Sequence, residues 1–272
     1  MIRLRPMALG LALTYAMLLV PGVDCKPSPE KPLIHAASFN VSVPVVLTVP
    51  PVYQQSTCGV PFGRVLLTID DYPYGNDALV ASVARDAYAT WHVGMMGFPL
   101  RQNADAYRRR TGIDLVANAR ASHMWIGNHT YDHQQLTKLT TPLVSWEISH
   151  GVPSTIMRPP YGATDLKVGA VAKSLGYREC TWNVDTLDYD RFRGPDGRLH
   201  YRSVTGIRHQ VLSSLAVKKL TPGSRIVILG HYFSNYPQAL PLIIRDLRVR
   251  GYTMCAPSKA KTTTAVPLRL PC

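Results

Sequence analysis

The chain has 272 residues, of which 46% are hydrophobic, and 30 Lys+Arg against 17 Asp+Glu give a formal net charge of +13. That hydrophobic share excludes a disordered chain and is enough for one large core. The charge predicts attraction to anionic polymers, but zinc-finger, RNA-recognition and basic-zipper patterns are absent, so acidic cell-wall glycans rather than nucleic acid are the expected partners.

Arg3 and Arg5 precede an apolar stretch at 7–20 that is too short to span a membrane comfortably. With Val20 and Gly22 at the small-residue positions, residues 1–22 read as a secretory signal, which implies a secreted, extracellular or cell-wall protein with no stable membrane insertion. Residues 23–61 form an extended lead-in, rich in Pro and β-branched residues over 26–55, with a glycosylation acceptor at Asn40-Val41-Ser42. A catalytic domain is expected over 62–256, followed by a basic tail at 257–272 that lacks periodicity and is expected to be mobile. In an oxidising compartment Cys58, Cys180, Cys255 and Cys272 are disulfide candidates, and Cys25 joins them only if cleavage precedes it. A bridge from Cys58 to Cys255 or Cys272 would join the two ends of the domain, although spacing alone does not choose a connectivity.

Short apolar runs predict strands at 64–69, 89–93, 124–127, 155–157, 177–182, 225–229 and 252–255. Amphipathic stretches predict helices at 77–87, 103–110, 134–149, 165–175, 204–215 and 238–249. Thr164 is the expected N-cap of the fourth helix and Gly176 its stop, and Arg108-Arg109-Arg110 reads as a solvated helix face. The alternation predicts an α/β fold, a distorted (β/α) barrel of about seven strands. Asp70-Asp71, His129, Arg158, Asp185 and His231 all fall at strand ends, where barrel active sites are built. A carboxylate and two imidazoles delivered this way can hold a divalent metal, which points to a hydrolase.

These residues carry a resemblance. Thr68-Ile69-Asp70-Asp71 resembles the first motif of the NodB-type polysaccharide deacetylases, carbohydrate esterase family 4. His129-Thr130-Tyr131-Asp132-His133 resembles the family's His-Ser/Thr-x-x-His motif, and Arg158-Pro159-Pro160-Tyr161 its Arg-x-Pro-Tyr motif. Asp185-Thr186-Leu187-Asp188-Tyr189 is similar to Asp-x-x-Asp-Trp, and Leu229-Gly230-His231 to Leu-x-His, all in family order. The resemblance implies that Asp71, His129 and His133 hold Zn²⁺, or Co²⁺ or another divalent ion. It implies Asp70 as general base with Arg158 as its partner, the Tyr161 N–H at the oxyanion, and His231 as general acid held by Asp188. Tyr161, Tyr189 and Leu229 would contact substrate, the last two as walls of the acetyl pocket. Tyr72 stands where Gly is usual, Tyr189 where Trp is common, and Trp91-His92 where two Phe are common, with His92 expected in the core or behind the site.

The expected activity is hydrolysis of N-acetyl groups from N-acetylglucosamine polymers such as chitin, chitooligosaccharide or peptidoglycan. Alternatives are O-deacetylation of xylan, an allantoinase-like cyclic amide hydrolase, and a noncatalytic secreted glycan-binding protein on the same fold. A monomer is the default expectation.

Overall fold

A computed structural model describes residues 58–72, 78–257 and 265–272. The signal segment, most of the lead-in, the Asn40 acceptor, Cys25 and Asp77 lie outside the described residues. In chain order the elements are β1 (Arg64–Tyr72), α1 (Ala78–Ala89), β2 (Met95–Pro99), α2 (Arg101–Thr111), α3 (Leu115–Ala121), β3 (Trp125–Ile126), α4 (Thr141–Ser149) and β4 (Ile156–Met157). There follow α5 (Leu166–Ser174), β5 (Arg178–Glu179), β6 (Val184–Asp185), β7 (Arg191–Arg193), β8 (Leu199–Tyr201), α6 (Val204–Val217), β9 (Arg225–His231) and α7 (Tyr236–Val249).

The main sheet has the order β3-β2-β1-β9-β6 and is parallel throughout. A second parallel pair, β4-β5, is hooked to the end of β3 by the bridge Asn128↔Met157. Seven parallel strands thus follow one another from β5 round to β6, as the βα alternation predicts. β1 lies at the centre, and a strand buried on both faces must be apolar nearly throughout. Its side chains divide by parity. Leu67 and Ile69 pack with Ile207, Ile243 and Ile244 of the helical layer, whereas Leu66 packs with Met96, Phe98 and Val227 inside the wrap. Thr68 and Asp70 share the parity of Leu66, so they lie on the interior face of β1.

Several expectations are corrected. The second strand is not 89–93 but Met95–Pro99. Residues 89–93 close α1 instead: the amides of Thr90 and Trp91 bond Asp86 O, and that of Val93 bonds Ala87 O. Met and Gly are weak strand formers, so this strand leaves little local signal. Gly97 is needed because any Cβ there would meet the Tyr72 ring. The bulky Tyr72 is thereby accommodated, fully buried and tilted against Tyr232. The helix expected at 134–149 splits into a 3-10 turn at Leu136–Lys138 and α4, which opens with a proline in its first turn. The strand expected at 252–255 reduces to a single bridge, Val65↔Met254. That expected at 177–182 shrinks to Arg178–Glu179, and β6, α3 and the β7-β8 hairpin were not anticipated. Asp165, not Thr164, caps α5 by accepting the Val168 N–H at 2.8 Å, while Thr164 bonds Glu179. His92 is exposed, not buried. The arginines at 108–110 are exposed in the last turn of α2, favourable at a helix C-terminus.

The disulfides are Cys58–Cys180 and Cys255–Cys272, not a bridge between Cys58 and either of the late cysteines. The pairing follows from proximity across the interior, where Cys58, Cys180 and Cys255 are all buried in one cluster with Val266 and Leu270. The end of the chain is correspondingly fastened, not mobile: Val266 and Leu270 are buried and Arg64 Nε donates to Cys272 O at 2.9 Å. Replacing Cys58 and Cys180 together by Ser is expected to cost about 2–4 kcal/mol, because the bridge closes a long loop in the unfolded chain. An unchanged denaturation midpoint under non-reducing conditions would contradict this.

Candidate active site

The C-terminal ends of the parallel strands converge on a cavity of about 450 Å³. Asp70 and His231 are register partners on β1 and β9, so sheet pairing alone sets the carboxylate and the imidazole side by side. Asp71 follows with φ +63°, a left-handed conformation that turns its side chain off the strand at a register shift. Thr130, His133, Tyr161 and Leu187 also have positive φ, at 69°, 67°, 61° and 50°. Non-glycine residues seldom adopt this region, and its recurrence in the strand-end loops is strain concentrated at one site.

Asp71, His129 and His133 present ligand atoms within 4.8 Å of one another. Both imidazole Nε2 atoms face Asp71 Oδ1, at 3.1 and 3.3 Å, yet that buried oxygen accepts no well-formed hydrogen bond. The Nδ1–H of His129 donates to Arg158 O at 2.7 Å, which points its Nε2 lone pair at the carboxylate. An oxygen and two ring nitrogens aimed at one point without a donor between them fit a cation. Burial would raise the Asp71 carboxyl, but the close approach of His129 and the other flanking imidazoles outweigh it and hold it down at about 2. Burial and the neighbouring His129 push His133 down to about 4, leaving it neutral and able to ligate.

The loop carrying these histidines is held from behind. Asn128 is fully buried, its Nδ2 donating to Ile148 O at 2.7 Å and its Oδ1 accepting from Thr130 N at 2.7 Å. In the fold it is no glycan acceptor, despite its sequon. Glu147 accepts from the amides of Tyr131 and Asp132 at 3.2 and 3.3 Å.

Asp70 is 2% exposed. Arg158 Nη1 donates to its Oδ1 at 2.8 Å and to Thr68 Oγ1 at 2.7 Å. Arg158 is itself wholly buried, with Nε donating to Cys180 O and its guanidinium 4.2 Å from the Phe98 ring centroid. Burial nevertheless wins over the pull of Arg158 and the imidazoles and raises the Asp70 carboxyl above its ordinary range. That is the direction a general base requires. Opposite, Asp188 Oδ1 accepts from His231 Nδ1 at 2.9 Å and from Thr186 Oγ1 at 2.8 Å. Its Oδ2 accepts from the His231 amide at 2.7 Å and from the Ser234 hydroxyl. Burial alone would lower His231, but Asp188 overrides it and holds the imidazole up at about 9.

Tyr161, Tyr189 and Leu229 line the same cavity. Leu229 is buried, while Tyr161 is 67% exposed on the rim with its ring 4.6 Å from that of His133. The Tyr189 hydroxyl donates to Asp185 Oδ2 at 3.3 Å, an oxygen that also accepts from Trp182 Nε1 at 3.3 Å. The residues given catalytic, substrate or metal roles by the resemblance are therefore brought together around one cavity, whereas His92 is not among them. Trp182, Phe233 and Ser234 have no role in the sequence reading, and Thr68 enters it only as part of the first motif; of these, Thr68 by its motif and Ser234, three residues past His231, carry a local cue.

Fold and constellation define an α/β-barrel hydrolase with carboxylate and imidazole chemistry at its strand ends. The sequence profile described as polysaccharide deacetylase matches residues 59–180. A chitin deacetylase of Pestalotiopsis is 30% identical over 83% of this chain and 78% of its own length. The chain belongs to the polysaccharide deacetylase family. The peptidoglycan-N-acetylglucosamine deacetylase PgdA of Listeria monocytogenes is 27% identical over 86% of this chain but only 46% of its own length, and the chain spans as little as 26% of other curated relatives. A family 4 carbohydrate esterase from Streptomyces lividans, solved with acetate, superposes with a TM-score of 0.53 at 27% identity, covering 74% of this chain and 95% of that one. Among the described residues no helix is long and apolar enough to cross a membrane.

Proposed function

We propose that this protein removes N-acetyl groups from N-acetylglucosamine units of a polysaccharide, chitin or peptidoglycan, in a metal-dependent reaction outside the cell. The observation that carries the reading is the pairing of two opposed titratable groups across one cavity. Asp70 is pushed up by burial and His231 is held up at about 9 by Asp188.

Asp71, His129 and His133 would hold the divalent ion, Zn²⁺ by donor chemistry, and when bound it supplies Lewis acidity toward the acetyl oxygen and the attacking water. Asp70 takes the water proton, and Arg158 keeps its free oxygen aimed into the cavity. The Tyr161 N–H adds a donor at the developing oxyanion. His231, protonated at neutral pH, delivers its proton to the departing nitrogen, while Asp188 fixes the ring so that Nε2 carries it. Leu229 and Tyr189 bound a pocket for the acetyl methyl. The exposed Tyr161 ring offers a platform for a sugar face.

Purified mature protein is expected to release acetate from chitin oligomers or peptidoglycan, to lose that activity to a chelator, and to regain it with Zn²⁺. Release from acetylated xylan alone would move the assignment to ester hydrolysis by the same groups. Polymer binding without acetate release, in protein shown to carry metal, would favour a glycan-binding role.

A further inference from the structure

Among the described residues the β7-β8 ribbon pairs with no other strand, and nothing in the proposed chemistry uses it. It is nevertheless rooted in the loops that hold the catalytic groups. Arg202 N donates to Asp190 O at 3.0 Å, Arg202 Nε donates to Leu187 O at 2.9 Å, and its Nη2 pairs with Asp190 Oδ2 at 2.9 Å. Asn235 Nδ2 in turn donates to Arg202 O. The ribbon therefore cannot swing independently of Asp188 or of the segment after His231.

A row of rings leads from the cavity onto it. The His231 and Phe233 centroids are 5.2 Å apart, and those of Phe233 and Tyr201 5.5 Å. The Arg191 guanidinium lies 4.7 Å over the Tyr201 ring and donates to its hydroxyl at 2.6 Å. Beyond that, Leu199, paired with Arg193 and on the same face as Tyr201, is 58% exposed. The charge along the row is unbalanced. Asp190 is paired with Arg202 and Asp196 with His200, so Arg191, Arg193 and Arg198, all exposed, have no carboxylate partner among the described residues.

We propose that the ribbon extends the substrate groove and reads charge: it takes carboxylates carried by an N-acetylated glycan strand whose acetylated sugar lies beside His231. The inference rests on the deacetylase reading and deepens it. Sugar rings present apolar faces that suit Phe233 and Tyr201, with Leu199 beyond them on the same face of the ribbon, while planar guanidinium groups match carboxylates bidentately. A neutral strand would engage the rings and leave the arginines without a carboxylate, although Arg191 already bonds Tyr201 and Arg193 the Gly197 carbonyl. The net charge of +13 draws any polyanion to the surface, and the ribbon joins that attraction to the catalytic cavity.

The test measures binding of the intact protein to carboxylate-bearing peptidoglycan strands and to neutral chitin oligomers of matched length. Wild type is expected to prefer the acidic strands about tenfold at low salt and to lose that preference near about 0.5 M salt. Replacing Arg191, Arg193 and Arg198 together with Gln is expected to abolish the preference, and replacing the same three with Lys to restore only the part that charge alone supplies. Arg198→Gln alone, a change at the ribbon's outer end, is expected to lower the preference about threefold. No preference in wild type, persistence in the triple Gln protein, or equally tight binding of a DNA oligonucleotide of matched charge would overturn the proposal. Acetate release is read in parallel: its absence on both strands would overturn the deacetylase reading while the binding preference still judged the ribbon.

Discussion

Asp70→Asn is expected to lower acetate release by about 10³-fold or more while cation binding is retained. The substitution preserves shape and one oxygen acceptor but removes the group's affinity for a proton, the property that burial has raised. The structure also sets the cost. Arg158 is fully buried and Asp70 is its carboxylate partner, so the asparagine leaves a buried guanidinium facing an amide. Losing one partner of a buried pair costs about 3–5 kcal/mol, and the variant must be shown folded at the assay temperature. Retained metal content makes that demonstration, because the three ligands come from β1 and the loop after β3 and converge only in the folded barrel. His129→Ala, by contrast, is expected to lose both metal and turnover. Asp70→Asn protein with most of the wild-type rate would remove Asp70 from the role of base.

His231→Ala is expected to cost about 10²–10⁴-fold in kcat, the range for a positioned general acid. The pH profile is the sharper reading. Because Asp188 holds His231 up at about 9, its proton-bearing form is fully present at neutral pH and is lost as pH rises through that value. A divalent ion at the neighbouring ligands draws it down, so the alkaline limb of kcat is expected at or somewhat below pH 9. Asp188→Asn removes the charge that raises it, and the limb should then move toward the ordinary imidazole range near about 6.5. Superimposable profiles for wild type and Asp188→Asn would show that His231 is not the titrating acid.

The candidate site residues are legible in the sequence because the barrel places chemistry locally. Each of Asp70, His129, Arg158, Asp188 and His231 lies within a few residues of a short apolar run, and a strand end followed by a loop is readable from neighbours in the chain. The β7-β8 ribbon was less visible, since its exposed Arg-Phe-Arg and Leu-His-Tyr segments bury no face and so lack the alternation that marks a strand. The strand Met95–Pro99 leaves little mark in the local pattern because its glycine serves the Tyr72 ring from another strand, a demand no local pattern carries. Arg158 offers a similar contrast. Its place in a motif was clear, but its burial among Thr68, Phe98 and Cys180 depends on partners up to 90 residues away.

By itself the sequence determined the family, the alternation of strands and helices, and the identity of the titratable groups, because each is written in short-range pattern and residue chemistry. Tertiary structure alone decided which cysteines meet, that the chain's end is buried beside them, that Asp70 and His231 are register partners, and how far burial shifts their proton affinities. Those properties depend on distances between residues far apart in the chain and on the exclusion of water, and neither exists until the barrel has closed.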